Sequence, residues 1–392
     1  MDSLRDKTAI CGVGNSDFVP LTSAVSPLVP LVRAFKNALD DAGMDKSEID
    51  GLLVNIGTPT GVDYDQVADG FGLSINIADQ TWTHGRQMAS VLGHAAMIVN
   101  AGLASVVACV CSINWKKRNN GTVGGHGTNQ DDREIGGSHF EHPFYGMTSP
   151  GGAFAMAVRR YFSLYGASSA DLAQVAIAIR RHALMNPNAI MKKPLTLEDH
   201  QNSRFVCEPL RLFDYCQTVG GACVVLVTSA ERARSAAKKP VYISGVQGMA
   251  AGREEATGGR PGLGLHQQSD SAPASSPRDV TIYEMSGVDR SDVDALYTYD
   301  AMTSNVWMTL ERFGFCKAGE AWQFVNTGAI APGGSLPVNT NGGLLSEAHV
   351  SGWNHVCEMV RQLRGECGER QVPGAEILQW ASNRGDSFIL RR

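Results

Sequence analysis

"SLPVNTNGGLLSEAHVSG", residues Ser335–Gly352, is the stretch that decides how this chain is read. An apolar approach meets Asn339-Thr340-Asn341-Gly342-Gly343, and a loop carrying one histidine, His349, leads into a long helical pattern. Adjacent glycines beside asparagines let the backbone turn through conformations that other residues resist. A turn of this kind aims a polar side chain. The remaining question is what His349 is aimed at.

Working outward, the chain contains an internal repeat. Gly43-Met44-Asp45-Lys46-Ser47-Glu48-Ile49-Asp50-Gly51-Leu52 aligns without a gap on Gly287-Val288-Asp289-Arg290-Ser291-Asp292-Val293-Asp294-Ala295-Leu296. Phe71-Gly72-Leu73 recurs as Phe313-Gly314-Phe315, and each half runs on into a helix closed by glycine (Gly102, Gly365) and then an apolar strand. A strand–helix–strand unit used twice points to two α/β halves about a pseudo-twofold axis. Counting back from the two glycines, His349 corresponds to Gly85 or Arg86 in "TWTHGRQMAS". Two helix N-termini are therefore expected to face one pocket, and helix N-termini attract anions and developing oxyanions.

Composition agrees with a folded enzyme-sized protein. The chain has 392 residues, 43% of them hydrophobic, and a formal net charge of −5 with no long basic block, which argues against a nucleic-acid binder. No apolar run suggests a secretory leader or a membrane span, and nine cysteines without CxxC pairs fit free thiols, so a cytoplasmic location is expected. "TAICGVG" reads as a strand entering a turn. Its Gly12-Val13-Gly14 lacks the third glycine and the directly following helix of a dinucleotide fingerprint. Helices are expected from Pro27 to Gly43, around Val67, over Met88–Ala101 and in two stretches after Gly152. Strands are expected in "GLLVNIG", "LASVVACVCS" and "GACVVLV". The polar, glycine-rich segment from Trp115 to Gly152 and the Gly/Ser/Pro-rich segment from Thr257 to Asp279 read as long loops. The halves are bounded as residues 1–230, including a helical loop insertion at about 115–210, and residues 231–392.

Together, "VNTNGGLLSEAH", "PLRLFDYCQTVGGACVVLV" and the duplication resemble the thiolase superfamily, specifically its lipid-transfer-protein (sterol-carrier-protein-like) branch, over nearly the whole chain. The resemblance implies a thiolase fold, two duplicated α/β halves in a five-layered arrangement. It places His349 at the family's histidine after NxxGG, Tyr299-Asp300-Ala301-Met302 at its Asn- or His-containing motif, and Gly85 where a thiolase has its nucleophilic cysteine. The last strand, "GAEILQWASNRG", has no second cysteine. Claisen chemistry requires an acyl-enzyme and hence a thiolate. Retro-aldol cleavage of a β-hydroxyacyl-CoA requires only a base and donors that hold a thioester enolate. The pattern is therefore closest to the steroid side-chain-cleaving aldolases that lack the cysteine. The resemblance further implies a homodimer, a small OB-fold, zinc-ribbon-type partner subunit in which zinc would reside, and no cofactor in this chain beyond coenzyme A thioester as substrate.

Four residues are expected to carry the chemistry: His349 and Tyr299 in proton transfer and enolate stabilisation, His84 beside the missing nucleophile, and Asp300 orienting a neighbour or capping a helix. Trp82, Gly85, Tyr297, Asn341, Gly342 and Gly343 are expected to shape the pocket, with Phe144, Tyr145 and Met147 as apolar walls of the loop over the substrate. His126, His139, Glu141 and His142 match no standard metal spacing, so no metal is assigned. Arg180, Arg181, Lys192 and Lys193 read as a solvated charge run with CoA phosphates as an alternative. Two rival functions stay open: an acyltransferase or thiolase-type enzyme, and a non-catalytic acyl-CoA-binding subunit.

Overall fold

The computed structural model describes residues 4–20, 26–57, 61–81, 88–114, 150–249 and 281–392. The first half contains β1 (Thr8–Asn15), β2 (Val19–Pro20), α1 (Leu28–Ala42), β3 (Gly51–Asn55), α2 (Tyr64–Phe71), β4 (Ile77–Thr81), α3 (Met88–Asn100) and β5 (Val106–Asn114). The insertion follows with α4 (Pro150–Tyr165), α5 (Ser169–Leu184), α6 (Leu197–Asn202) and a hairpin of β6 (Phe205–Cys207) and β7 (Leu210–Arg211). β8 (Val219–Ser229) returns to the sheet, and α7 (Ala230–Ala233) leads out of it. The second half is β9 (Val241–Gln247), α8 (Thr281–Ser286), β10 (Ala295–Thr298), α9 (Thr303–Arg312), α10 (Ala321–Asn326), α11 (Trp353–Arg364), β11 (Ile377–Ala381) and β12 (Ser387–Arg391).

Strand order makes the duplication physical. The sheet runs β10-β11-β12-β9-β1-β8-β5-β3-β4, and β1 meets β9 antiparallel at Ala9–Tyr242 and Ile10–Val241. About that seam β8 answers to β12, β5 to β11 and β3 to β10. In both halves the seam strand pairs antiparallel with its neighbour, and the two outermost members of each set pair parallel. β4 lies parallel to β3, and its counterpart is reduced to one parallel bridge, Leu296–Val338. The repeat stretch adopts one conformation twice. Asp45 and Asp289 each cap a 3-10 turn with a reciprocal capping box, and each turn leads into a parallel strand.

Alternation along the strands sorts side chains into layers. Val107, Cys109, Cys111 and Ile113 of β5 pack with α3 and α11, whereas Val106, Ala108 and Val110 face α1. In the second half Ala295, Tyr297, Leu378, Trp380, Phe388 and Leu390 join the same central core, and Leu296, Ala381 and Ile389 pack outward with α8 and α9. Outer helix, half-sheet, paired central helices, half-sheet and outer helices make five layers. The Gly12-Val13-Gly14 element serves this packing. A Cβ on Gly14 would lie 2.1 Å from the Ala34 carbonyl oxygen, and one on Gly12 2.5 Å from that of Ala38, so glycine lets α1 settle directly on β1. Among the described residues no helix is long and apolar enough to cross a membrane.

Candidate active site

The site forms where β10 ends, beside the turn between Val338 and α11. Val338 continues the sheet by its bridge to Leu296, and Asn339, at φ +52°, closes back on the strand end. Its Oδ1 accepts from Thr298 N–H (2.8 Å), and its Nδ2 donates to the Thr298 carbonyl (3.1 Å). Gly342 (φ +101°) and Gly343 (φ +64°) then reverse the chain into a π-helical turn, Gly343–Glu347. Asp300, just past β10, holds that turn. Its Oδ1 accepts from Leu344 N–H (2.8 Å) and its Oδ2 from Leu345 N–H (3.3 Å). A Cβ on Gly343 would sit 2.0 Å from Asp300 Oδ2, which explains the glycine.

The turn delivers His349 to Tyr299. Tyr299 Oη lies 2.9 Å from His349 Nε2, with the rings edge-on at 68°. Both side chains are nearly buried, at 7% and 8% exposure, and so are largely shielded from bulk water. On the far side of the imidazole, Nδ1 lies 3.4 Å from Cys216 Sγ. The Cys216 loop is fastened to the same two segments. Cys216 N–H donates to the Ala301 carbonyl (3.0 Å), Gln217 N–H to that of Leu344 (2.9 Å) and Gln217 Nε2 to that of Leu345 (3.1 Å). Burial, with the Asp300 charge adding to it, pushes the Cys216 thiol up to about 12, so it is a thiol rather than a thiolate at neutral pH. Cys216, His349 and Tyr299 thus form a continuous line of three titratable groups.

The start of α11 packs against the first described residue of α3. A Cβ on Gly352, at the start of α11, would lie 3.4 Å from Cε of Met88, the first residue of α3. Trp353 Nε1 donates to Asn55 Oδ1 (2.9 Å), and Asn55 Nδ2 donates to Thr81 Oγ1 (2.6 Å), so β4 is tied to the same point.

Several expected pocket residues lie beneath the site instead of in it. Tyr297 shares the strand face of Tyr299 but is fully buried, and its hydroxyl is paired with Thr340 Oγ1 (2.6 Å). Asn341 is fully buried. Its Oδ1 faces His355 Nδ1 (3.1 Å) and accepts from Gly343 N–H, and its amide donates to Glu347. Gly342 packs against Ala183 and Gly343 against Asp300. Asp300 does not cap α9, which Met302 precedes; both its oxygens accept instead from the first amides of the π-helical turn Gly343–Glu347. Arg180 is buried, donating to Ser346 Oγ (2.8 Å) and the Lys193 carbonyl (2.9 Å), and Lys192 is turned onto the Asn186 and Pro187 carbonyls. Neither is posed for phosphate. Trp82, His84, Gly85, His126, His139, Phe140, Glu141, His142, Phe144, Tyr145 and Met147 lie outside the described residues.

Cys216 is the site residue that sequence reasoning missed, although it stands inside a quoted motif. It is 133 residues from His349, just ahead of β8, and no spacing in the sequence hints at the encounter.

This duplicated mixed sheet around two central helices defines a thiolase-fold protein. Residues 266–386 match the "Thiolase C-terminal domain-like" family. The chain is 37% identical over 367 residues to the 17-hydroxy-3-oxo-4-pregnene-20-carboxyl-CoA lyase of Mycobacterium tuberculosis, covering 92% of each chain. It is 34% identical to the steroid side-chain-cleaving aldolase of Thermomonospora curvata, covering 93% of this chain and 92% of that one. Among solved structures, the Ltp2-ChsH2(DUF35) aldolase superposes with a TM-score of 0.83 at 32% identity, covering 100% of this chain and 99% of that one. The chain belongs to the steroid side-chain-cleaving aldolase family of the thiolase superfamily, and it is an enzyme of that family.

Proposed function

We propose that this chain is a carbon–carbon lyase that cleaves a β-hydroxyacyl-CoA by a retro-aldol reaction, releasing a ketone or aldehyde and a shortened acyl-CoA. A base removes the β-hydroxyl proton, the Cβ–O bond becomes a carbonyl, and the Cα–Cβ bond breaks. Its electron pair passes into the thioester enolate, and a proton returned to Cα completes the acyl-CoA. One proton is taken and one is given back, and no oxidation state changes overall, so the reaction needs no redox cofactor.

The observation that carries this reading is the Tyr299–His349 contact, 2.9 Å long and nearly buried, backed by a thiol that burial keeps protonated. Such a pair supplies proton transfer and hydrogen bonding to a developing enolate without an acyl-enzyme. His84, outside the described residues, is the further candidate for proton transfer. The names of the two curated relatives favour a steroid acyl group, and the pairing of Ltp2 with ChsH2(DUF35) in the similar aldolase favours a complex. We extend that to a homodimer carrying a small OB-fold, zinc-ribbon-type subunit, with any zinc in the partner. A cytoplasmic site of action fits the free thiols of the chain.

The test is turnover of a steroid β-hydroxyacyl-CoA by the chain co-expressed with its partner. Tyr299→Phe and His349→Ala are each expected to lower kcat by roughly 10²-fold or more, the usual worth of a positioned proton-transfer group. Full activity in both variants would refute the assignment. The thiol–imidazole contact of Cys216 and His349 favours one other reading, acyl transfer through Cys216, and a thiol held up at about 12 weighs against it.

A further inference from the structure

Beneath the turn that carries His349, α11 brings a second histidine back to the same segment. His355, in the first turn of α11, is fully buried, and both of its ring nitrogens face oxygens. Nδ1 lies 3.1 Å from Asn341 Oδ1. Nε2 lies 3.4 Å from Asp300 Oδ1, longer than a well-formed hydrogen bond, and has no other polar partner. The neighbours of Asn341 fix which way its amide points. Nδ2 donates to Glu347 and Oδ1 accepts from Gly343 N–H (3.3 Å), so a reversed amide would set an oxygen against the carboxylate and an NH2 against an N–H. Nδ1 therefore faces an acceptor and carries a proton. Nε2 faces the oxygen of an equally buried carboxylate. Left bare, it would be an unbonded acceptor turned toward an anion, and that anion would hold two backbone amides but no counter-charge. A proton on Nε2 removes both faults. Among the described residues, His355 is the side chain within ion-pair distance of Asp300 that can carry the compensating positive charge.

We infer that His355 is an imidazolium, the buried counter-ion of Asp300, and that it is a positioning residue for the turn that delivers His349. Asp300 grips that turn at the amides of Leu344 and Leu345. His355 holds the same carboxylate from α11 and reaches the start of the turn through Asn341. One charged pair thus fastens the turn at Asn341, Leu344 and Leu345. Asp300 also directly follows Tyr299 in the chain, so the pair sets the Tyr299 strand end against the His349 turn. His355 acts through these neighbours and takes no part in moving protons to or from the substrate. Removing it leaves the Asp300 charge buried and uncompensated, which loosens the segment at both ends. The consequence for catalysis rests on the aldolase reading; the ion pair does not.

The experiment combines a spectrum with kinetics on the chain in complex with its co-expressed partner. Nitrogen-15 spectra of histidine-labelled protein, with His355 assigned by the signals missing from His355→Gln, report the protonation of each ring nitrogen. The wild type is expected to show both His355 nitrogens protonated at neutral pH. Two variants then divide the two contacts, because the amide nitrogen of glutamine stands in for Nε2 and that of asparagine for Nδ1. His355→Gln keeps a neutral donor toward Asp300 and should lower kcat/KM by about threefold to tenfold. His355→Asn leaves Asp300 without a donor and should lower it by about thirtyfold or more, the worth of a hydrogen bond to a charged group. A histidine that only fills space would show one protonated nitrogen and two variants of equal activity. A bare Nε2 in the wild type, or His355→Asn as active as His355→Gln, overturns the proposal. If His355→Asn does not fold, the wild-type spectrum still decides whether the ion pair exists. A wild type that cleaves no β-hydroxyacyl-CoA while showing both nitrogens protonated overturns the functional reading and leaves His355 as the counter-ion of Asp300.

Discussion

Replacing Asp300 by asparagine separates a residue that builds the site from one that works in it. In the structure Asp300 is fully buried, and its two oxygens accept from Leu344 N–H at 2.8 Å and Leu345 N–H at 3.3 Å. His355 Nε2 stands 3.4 Å from Oδ1. A hydrogen bond to a charged acceptor contributes about 1.5–3 kcal/mol. Asparagine in its better orientation retains the 2.8 Å bond as a neutral one and turns its NH2 toward the N–H of Leu345. The expected loss is therefore about 2–4 kcal/mol. With an unfolding entropy of about 2.1 cal/mol/K per residue, a change of that size lowers Tm by roughly 2–5 °C in a chain of 392 residues. Because the turn that slackens also carries His349, kcat/KM should fall with Tm. Differential scanning calorimetry and turnover on the same preparation test both. If Tm moves by less than about 1 °C while activity collapses, Asp300 acts on the reaction itself and the assignment of a turn-holding carboxylate is wrong.

Tyr297→Phe removes a hydroxyl bonded to Thr340 and should cost about 1 kcal/mol in chemical denaturation while leaving kcat/KM unchanged, since Tyr297 lies beneath the site. Gly343→Ala places a Cβ 2.0 Å from Asp300 Oδ2 at φ +64° and should destabilise the fold and abolish turnover together, read by melting temperature and activity of the purified variant. Glu347 carries a pH signature. Burial lifts its carboxyl from 4.5 to about 7, against the amides of Asn354, Asn186 and Asn341 that lower it. A raised folded-state value means the proton is bound more tightly in the folded state. The stability gained is full below about pH 4.5 and is lost as pH rises through about 7, an effect of about 3 kcal/mol. Glu347→Gln should remove that part of the slope, so Tm of the variant should fall less than that of the wild type between pH 5 and pH 8.

The parts of this molecule legible in its sequence are those set by local chain chemistry. The Asp-capped turns at Asp45 and Asp289, the glycines ending α1, α3 and α11, and the apolar strands all follow from short-range rules, and their repetition revealed the two-half architecture. His349 was found because the Asn339–Gly343 turn announces itself by composition. Cys216 was not, because its meeting with His349 is made by two loops 133 residues apart that only the folded sheet brings together. Periodicity placed Tyr297 and Tyr299 on one face correctly, but it carries no information on hydroxyl partners, and Thr340 had already taken that of Tyr297. The carboxylate beneath the turn is hidden for the same reason. Glu347 gathers Asn186, Asn341 and Asn354 from three segments into one buried cluster that no spacing reports.

The central claim is carbon–carbon cleavage without an acyl-enzyme, and one measurement addresses it most directly. The chain with its co-expressed partner is mixed with a steroid β-hydroxyacyl-CoA, quenched during turnover, and analysed for both small-molecule products and intact chain mass. The expected result is a ketone or aldehyde and a shortened acyl-CoA in equal amounts, with the chain mass unchanged at every time point. An acyl adduct on a cysteine of this chain that forms and decays with turnover, or the absence of cleavage altogether, would contradict it.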